Sequence, residues 1–190
     1  KKAKNIYIKS FSVYNDDETV SDDAEEVETK KYKKASSSFK DSLMGQDFTD
    51  YMSEVIVEYE DYNLISDDVI NNQVESLQGK MAASGDDDES VKKIMRAIDS
   101  DCIIYGRIIK DSAGNFTISA VLLNRKSSSV RKTVTINRYR YLDSAARALA
   151  HYLLTKDDSY INKFKKEMRN KEEDLNEAEE NRLNELLGIE

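Results

Sequence analysis

Residues 88–138 decide the fold of this chain: DESVKKIMRAIDSDCIIYGRIIKDSAGNFTISAVLLNRKSSSVRKTVTINR. The segment opens with apolar residues at three- and four-residue steps, which predicts an amphipathic helix. These residues are Val91, Ile94, Met95 and Ile98. Cys102–Lys110 then carries apolar side chains at odd and even positions alike. This pattern is typical of a strand that is buried on both faces near the middle of a sheet.

Two more strands follow at short intervals. Residues 111–115 (DSAGN) have the composition of a turn, and apolar residues then alternate along Phe116–Asn124. A second turn at 124–129 leads to Val130–Asn137, whose alternation of apolar and polar residues indicates a half-exposed strand. Because the turns are short, the three strands are predicted to form an antiparallel meander.

The rest of the chain supplies further elements. Ile6–Val13 is predicted to be one strand, with Ile6 and Ile8 on one face and Tyr7, Phe11 and Val13 on the other. Three helices and a short strand complete the set: Phe39–Tyr59, the strand Asn63–Ser66, a helix with Val69, Ile70, Val74 and Leu77, and Leu142–Leu154. We therefore predict an α+β fold, an α/β sandwich. It has a mixed sheet of about five strands ending in the meander, helices packed on the sheet, and a long C-terminal helix.

The composition favours one packed domain with solvated additions, because 35% of the 190 residues are charged. We predict a domain over residues 1–156, with an acidic insertion at 14–37, and a charged helical extension over 157–190. Residues 15–28 contain eight acids and lack the ligand spacing of an EF-hand, so a solvated loop is favoured over a calcium site. The net charge of −8 disfavours nucleic acid as a partner.

The sequence carries no catalytic constellation. Its only histidine, His151, lies on a predicted core helix, and its only cysteine, Cys102, lies within an apolar strand. No glycine-rich phosphate loop is present, and the acids at 86–89 are explained by the start of a helix. We therefore predict a protein that is not an enzyme and that has no catalytic residue, no cofactor and no metal site.

Two groups of residues are candidates for binding a partner. The first is cationic and surrounds the meander: Arg107, Arg125, Lys126, Arg131, Arg138 and Arg140. These charges could form a patch for nucleic acid or another anionic polymer, or contact an acidic protein surface. The alternative, which we favour, is that they only protect an exposed sheet edge from aggregation.

The second group lies on the last helix, at near-heptad spacing: Ile161, Phe164, Met168 and Leu175. The apolar stripe then drifts to Leu183, Leu186 and Leu187. A continuous helix of this kind would be roughly 45 Å long, too long and too polar for ordinary core. The interpretation that we favour is that it lies along its own domain or is partly frayed, and the alternative is that it binds a partner or a second copy of the chain.

The order of elements and three short segments resemble the CsgG/LpoB family, which is also described as TolB amino-terminal-domain-like. The segments are Leu64–Ser66 for the second strand, Ser100–Gly106 for the third, and Phe116–Asn124 for the fourth. Gly106 stands at the family's glycine position. The resemblance covers roughly residues 4–155. Asn124 departs from it, because the family usually has Asp there.

The resemblance implies a non-enzymatic adaptor or accessory lipoprotein of the periplasm. Such a protein would bind a protein partner of the cell envelope, for example as an activator of a cell-wall synthase or a subunit of an envelope machine. Membrane contact would be confined to a lipid anchor upstream of this chain, in the outer membrane. The chain has no strands to spare for a membrane channel like that of curli secretion. Two alternatives stay open: a subunit that self-assembles into a periplasmic ring or a secretion- or motor-associated complex, and a binder of nucleic acid or anionic polymer.

Overall fold

A computed structural model describes residues 2–15, 33–34, 39–68, 88–126 and 128–189. Its strands are β1 (Lys4–Ile8), β2 (Ser12–Asn15), β3 (Lys33–Lys34), β4 (Tyr62–Leu64), β5 (Cys102–Lys110), β6 (Phe116–Asn124) and β7 (Ser129–Ile136). Its helices are α1 (Phe39–Ile56), α2 (Asp88–Ala97), α3 (Leu142–Thr155) and α4 (Ser159–Leu187), with a 3₁₀ turn at Tyr139–Tyr141. The predicted α+β class, with a mixed sheet and a long C-terminal helix, is confirmed.

Strand β5 is the centre of the sheet, as its apolar character on both faces predicts. It pairs in parallel with β1 and with β2 along one side, and antiparallel with β6 along the other. Strand β7 then pairs antiparallel with β6, which confirms the meander. β4 adds a parallel strand beside β1, and β3 adds a short antiparallel one beside β2. The seven strands therefore occupy five positions across the sheet.

The first strand is interrupted, so the prediction of one strand over Ile6–Val13 was wrong. Ile8 is paired with Ile104, and Ser12 with Arg107, so four steps along the first segment match three along β5. The extra residue is a bulge, and it reverses which face each later side chain occupies. Phe11 consequently joins Ile8 in one core cluster, whereas Tyr7 belongs to another.

The bulge places Phe11 between two glycines. A Cβ at Gly106 would lie 2.1 Å from the carbonyl oxygen of Ser119 and 2.4 Å from the Phe11 ring. A Cβ at Gly45 would lie 2.3 Å from the carbonyl oxygen of Phe11. Both positions therefore need glycine. A side chain at Gly45 of α1 would collide with the backbone of the bulge, and one at Gly106 of β5 would collide with the Phe11 ring and with the backbone of β6.

The two faces of the sheet carry separate cores. One core lies under α1, α3 and the start of α4 and includes Phe48, Met52, Ile108, Ile118 and Leu149, all less than 1% exposed. On the other face, α2 packs against Ile103, Tyr105 and Val121 of β5 and β6. The predicted buried positions of α2 are confirmed at Val91, Ile94, Met95 and Ile98.

Some predicted features lie outside the described residues. They are the helix with Val69, Ile70, Val74 and Leu77, most of the acidic insertion, and the first two acids of the 86–89 group. The division of the chain at residue 157 stays a prediction. None of the helices in the described ranges is both long enough and apolar enough to cross a membrane.

Candidate protein-interaction surface

Arg125 is bound within its own chain. It forms a salt bridge with Asp99, and its Nε donates to the carbonyl oxygen of Ser100 at 3.0 Å. Its backbone N–H also donates to the carbonyl oxygen of Asp101 at 3.1 Å. These bonds tie the β6–β7 turn to the turn between α2 and β5, where Asp99 has a positive φ of 53°. Arg125 therefore has a structural role at this corner of the sheet.

Arg131 joins β7 to the start of α2. One of its Nη atoms donates to both carboxylate oxygens of Asp88, at 2.7 and 2.6 Å, and the Tyr105 hydroxyl donates to the same carboxylate. The Tyr105 hydroxyl, followed by Arg131, holds the pKa of Asp88 below its usual range. Burial, followed by the hydrogen bond to Asp88, raises the pKa of Tyr105. The carboxylate thus stays ionised and fixes α2 on the sheet.

Two further cations attach α4 to the meander. The Lys132 ammonium lies 2.8 Å from Asp158 and 4.6 Å from the centre of the Tyr152 ring. Arg138 donates to Oε1 of Glu172 at 2.8 Å, and the Tyr141 hydroxyl donates to the same oxygen at 2.6 Å. The Tyr141 bond, followed by Arg138, lowers the pKa of Glu172.

The predicted cationic patch is therefore largely neutralised. Arg125, Arg131 and Arg138 are paired with acids from three different elements. The Arg140 guanidinium lies 5.8 Å from the centre of the Tyr141 ring, Arg107 is exposed on β5, and Lys126 is exposed in the β6–β7 turn. Paired guanidinium groups have little charge to offer an anionic polymer, so this surface favours the structural interpretation.

The first part of α4 is anchored in the core of its own chain. Ile161 is 1% exposed and Phe164 is 4% exposed, and Met168 packs half-buried against the same cluster. These three residues were predicted as partner contacts. Ile161 and Phe164 are instead part of the core and are not accessible to another protein, because α4 has to leave the domain to expose them.

The last part of α4 has no such cover. Seven large hydrophobic side chains are exposed among the described residues, and four of them lie in the last seven of these residues. They are Leu183 (57% exposed), Leu186 (76%), Leu187 (63%) and Ile189 (60%), which together we term the distal apolar face. Leu175, a predicted contact, is half-buried between the two parts of the helix.

The exposed and buried residues lie on one side of the helix. Phe164, Leu175 and Leu186 follow one another at intervals of eleven residues, about three turns of an α-helix. Leu183, three residues before Leu186, and Leu187, one residue after it, widen this apolar stripe. The side that enters the core near Phe164 therefore continues as the distal apolar face, roughly 22 Å beyond Glu172.

The helix ends in a defined cap, so the distal apolar face is presented on ordered backbone. Gly188 has a φ of 65°, and its N–H donates to the carbonyl oxygens of Asn184 and Glu185. The N–H of Ile189 donates to the carbonyl oxygen of Asn184 at 3.0 Å, which completes a Schellman motif. The spacing of Leu183, Leu186 and Leu187 just before a glycine was the sequence signal for this surface, but these leucines were not among the predicted contacts.

The charge around the distal apolar face is negative. Exposed acids flank it along the helix: Glu173, Asp174, Glu177, Glu179, Glu180 and Glu185. No salt bridge joins these acids to any residue that the structure describes. The face is therefore an apolar stripe whose rim carries an excess of negative charge, although Arg182 also lies in this part of the helix and Glu179 interacts with Arg138.

The single histidine fixes the base of α4. Its Nδ1 lies 2.6 Å from the Tyr59 hydroxyl, and its ring stacks on Tyr160 with centroids 4.4 Å apart and planes at 8°. Burial lowers the pKa of His151, and Arg147 adds to this effect while Glu58 opposes it. Burial also raises the pKa of Tyr59 to about 12. The cluster joins the ends of α1 and α3 to the first turn of α4.

The described residues offer neither an accessible reactive thiol nor a cluster of metal ligands. Cys102 is 3% exposed, and burial raises the pKa of its thiol, which disfavours the reactive thiolate. No group of three or more His, Cys, Asp or Glu residues in this part of the chain is placed to hold a metal ion.

Comparison with known proteins gives distant structural similarity only. No family model and no curated protein matches the sequence. The structure is similar to the C-terminal domain of LpoB from Salmonella enterica (TM-score 0.40, 8% identity) and from Escherichia coli (0.38, 10%), each over 70% of this chain and 82% of that domain. It is also similar to a PelC dodecamer from Paraburkholderia phytofirmans (0.37, 13%), over 80% of this chain and 86% of that one. Similarities at this level do not assign the chain to a family.

Proposed function

We propose that this chain is a non-enzymatic adaptor of the cell envelope that binds a protein partner through the distal apolar face of α4. The observation that carries the proposal is the contrast along one helix, which buries Phe164 in its own core and leaves Leu183, Leu186 and Leu187 exposed. An exposed apolar stripe with a polar rim is the usual mark of a protein-binding surface. The envelope location rests on the sequence resemblance to the CsgG/LpoB family.

The energetics permit a specific contact of moderate strength. Complete burial of a leucine or isoleucine side chain contributes about 1.5–3 kcal/mol, so four such residues contribute roughly 6–12 kcal/mol, which is of the same order as the association cost of about 4–15 kcal/mol. The acidic rim selects for a partner with Lys or Arg around an apolar groove. The geometry is that of an amphipathic helix laid in a groove, with anchors at the i, i+3 and i+4 positions Leu183, Leu186 and Leu187.

The competing function of the same surface is self-assembly of identical subunits. Two distal apolar faces packed together would bring their acidic rims into contact, and like charges at close range are destabilising. A second copy is therefore a less favourable occupant than a basic partner. The predicted partner contacts Arg107, Lys126 and Arg140 stay predictions.

Site-specific photocrosslinking in the native host tests the proposal. A crosslinking residue at position 186 is expected to give one discrete adduct with another protein. Asn181 is the matched control, since it is exposed and lies about 140° around the helix from Leu186. Equal adducts from positions 186 and 181 would contradict the proposal, and an adduct at twice the mass of the chain would favour self-assembly.

The purified partner then allows a quantitative check. Leu183→Ser combined with Leu187→Ser is expected to weaken binding by about a hundredfold, because two buried anchors are lost at roughly 1.4 kcal/mol or more each. The variant is expected to fold normally, since both side chains are exposed. Unchanged affinity of the variant would exclude the distal apolar face as the contact.

A further inference from the structure

A cavity lies at the foot of the parallel strands, beside the turn between α2 and β5. It is an open cleft of about 570 Å³ where β1 and β5 begin and β6 ends. Most of the residues that line it are polar or charged: Lys2, Lys4, Asn5, Asp99, Asp101, Asn124, Arg125 and Lys126, with Ala3 and Cys102. A volume of this size suits a small-molecule ligand or a lipid headgroup.

The acids of this cleft are already engaged. Asp99 is paired with Arg125, and this pairing lowers the pKa of Asp99, with a smaller contribution from Lys2. One carboxylate oxygen of Asp101 accepts the backbone N–H of Asn5 at 2.8 Å. The side-chain oxygen of Asn124 accepts the backbone N–H groups of Lys126 and Ser128. The cleft therefore has a hydrogen-bonded wall that does not depend on a ligand.

The ammonium groups of the cleft are not engaged in this way. Lys2, Lys4 and Lys126 form no salt bridge with any residue that the structure describes. With Arg125 they bring four positive charges against two negative ones, in a chain of net charge −8. Excess positive charge on a concave surface attracts anions more strongly than the same charges do on an open surface.

We propose that this cleft binds a phosphate group. The planar guanidinium of arginine matches carboxylate and phosphate alike with two parallel bonds, whereas the ammonium of lysine binds either anion as a mobile point charge. The one guanidinium in the cleft, that of Arg125, is already bound to Asp99 and to the carbonyl oxygen of Ser100. A phosphate monoester carries about two negative charges and three acceptor oxygens, so it can bind several ammonium groups at once, whereas a carboxylate has one charge and two oxygens. Three ammonium groups that form no salt bridge with a described residue therefore favour phosphate over carboxylate. Soluble phosphate esters and anionic phospholipids both carry this group.

Two measurements on the full chain separate these sources. Amide NMR spectra are recorded during titration with sodium phosphate, with sodium acetate as the comparison. Co-sedimentation is measured with phosphatidylglycerol vesicles and with phosphatidylcholine vesicles. We expect saturable shifts at Asn5, Asp101 and Asn124 with phosphate, or selective sedimentation with the anionic vesicles, or both. Phosphate shifts identify a soluble ligand, and sedimentation alone identifies a lipid headgroup.

The triple variant Lys2→Gln, Lys4→Gln, Lys126→Gln tests the site itself. We expect it to weaken binding by roughly tenfold or more, because three exposed charge pairs are lost together. The matched control is Lys163→Gln, Lys165→Gln, Lys166→Gln, which removes the same charge from exposed positions of α4 and is expected to change affinity by less than about twofold. Circular dichroism checks that both variants fold.

Three results would overturn the proposal. The first is the absence of both saturable phosphate shifts and vesicle binding. The second is an equal loss of binding in the two triple variants, which would mean that only the overall charge matters. The third is an equal response to acetate, which would exclude selectivity for phosphate. None of these results bears on the distal apolar face, which is remote from the cleft in sequence and shares no residue with it.

Discussion

The two halves of α4 share a periodicity and a side-chain chemistry, and yet they have opposite environments. The proximal half, residues 159–174, buries Ile161 and Phe164 and is held by Glu172 and by the stack of Tyr160 on His151. The distal half, residues 175–187, presents Leu183, Leu186 and Leu187 to solvent on the same side of the helix. The difference shows that an apolar stripe is core only where a sheet or a helix lies opposite it.

Hydrogen exchange is expected to reveal the largest difference between the two halves. Backbone amides near Phe164 should exchange only by global unfolding, which for a domain of this size costs about 5–15 kcal/mol. Amides near Leu183 should exchange through local fraying at a small fraction of that cost, because the side chains around them are exposed and no described part of the domain covers them. Exchange–mass spectrometry of the free chain measures both, and equal protection along the helix would contradict the contrast.

Truncating one apolar residue in each half is expected to have the next largest effect. Phe164→Ala should lower the free energy of unfolding by about 3 kcal/mol, because it opens a cavity between α4 and the core. Leu186→Ala should change it by less than about 0.5 kcal/mol, because that side chain is exposed. Urea denaturation measures both values. A large loss in Leu186→Ala would mean that the distal half packs on its own domain after all.

Protonation of His151 is expected to loosen the proximal half by a smaller amount. Its pKa in the folded protein lies below the ordinary value of 6.5, so the unfolded chain binds the proton more readily. The stabilisation is complete above pH 6.5 and is lost as the pH falls towards the lowered pKa. Thermal melts of the wild type and of His151→Phe, compared between neutral and mildly acidic pH, isolate this contribution. A constant difference between the two proteins would exclude it.

The contact of Glu172 with Arg138 and Tyr141 is expected to have the smallest effect, because it is exposed to solvent. The pKa of Glu172 is lowered from its ordinary value of 4.5, so its stabilisation is present above that pH and is lost as the pH falls through the lowered pKa. Glu172→Gln should therefore be slightly less stable than the wild type at neutral pH and equal to it in acid. Glu173→Gln, at the neighbouring exposed position, is the control for the loss of one negative charge.

The spacing of apolar residues was sufficient to predict the helices and strands in which one spacing holds from end to end. The both-face apolar strand Cys102–Lys110 became the central strand, and the short turns after it produced the meander. The first strand was predicted wrongly because a bulge of one residue leaves no mark in composition and yet reverses every later side chain. Gly45 illustrates the same limit. From the sequence, this glycine only weakens a helix. The structure shows why glycine is needed there, because the carbonyl oxygen of Phe11, from a distant segment, leaves no room for a side chain.

The candidate sites divide in the same way. The arginines of the meander were visible in the sequence, but their acidic partners Asp88, Asp99 and Glu172 come from elements that only folding brings to them. The cleft brings Lys2 and Lys4 together with Lys126, which lies more than a hundred residues further along the chain, so no local sequence pattern could group them.

The sequence by itself determined the class of fold, which strand lies at the centre of the sheet, and the absence of a recognisable catalytic motif. These depend on local spacing and residue type. The tertiary structure alone decided which half of α4 is core and which is surface, which cations are paired, and where unpaired charge collects. Each of these depends on which residues contact a given side chain, and those neighbours are brought together only when distant parts of the chain pack.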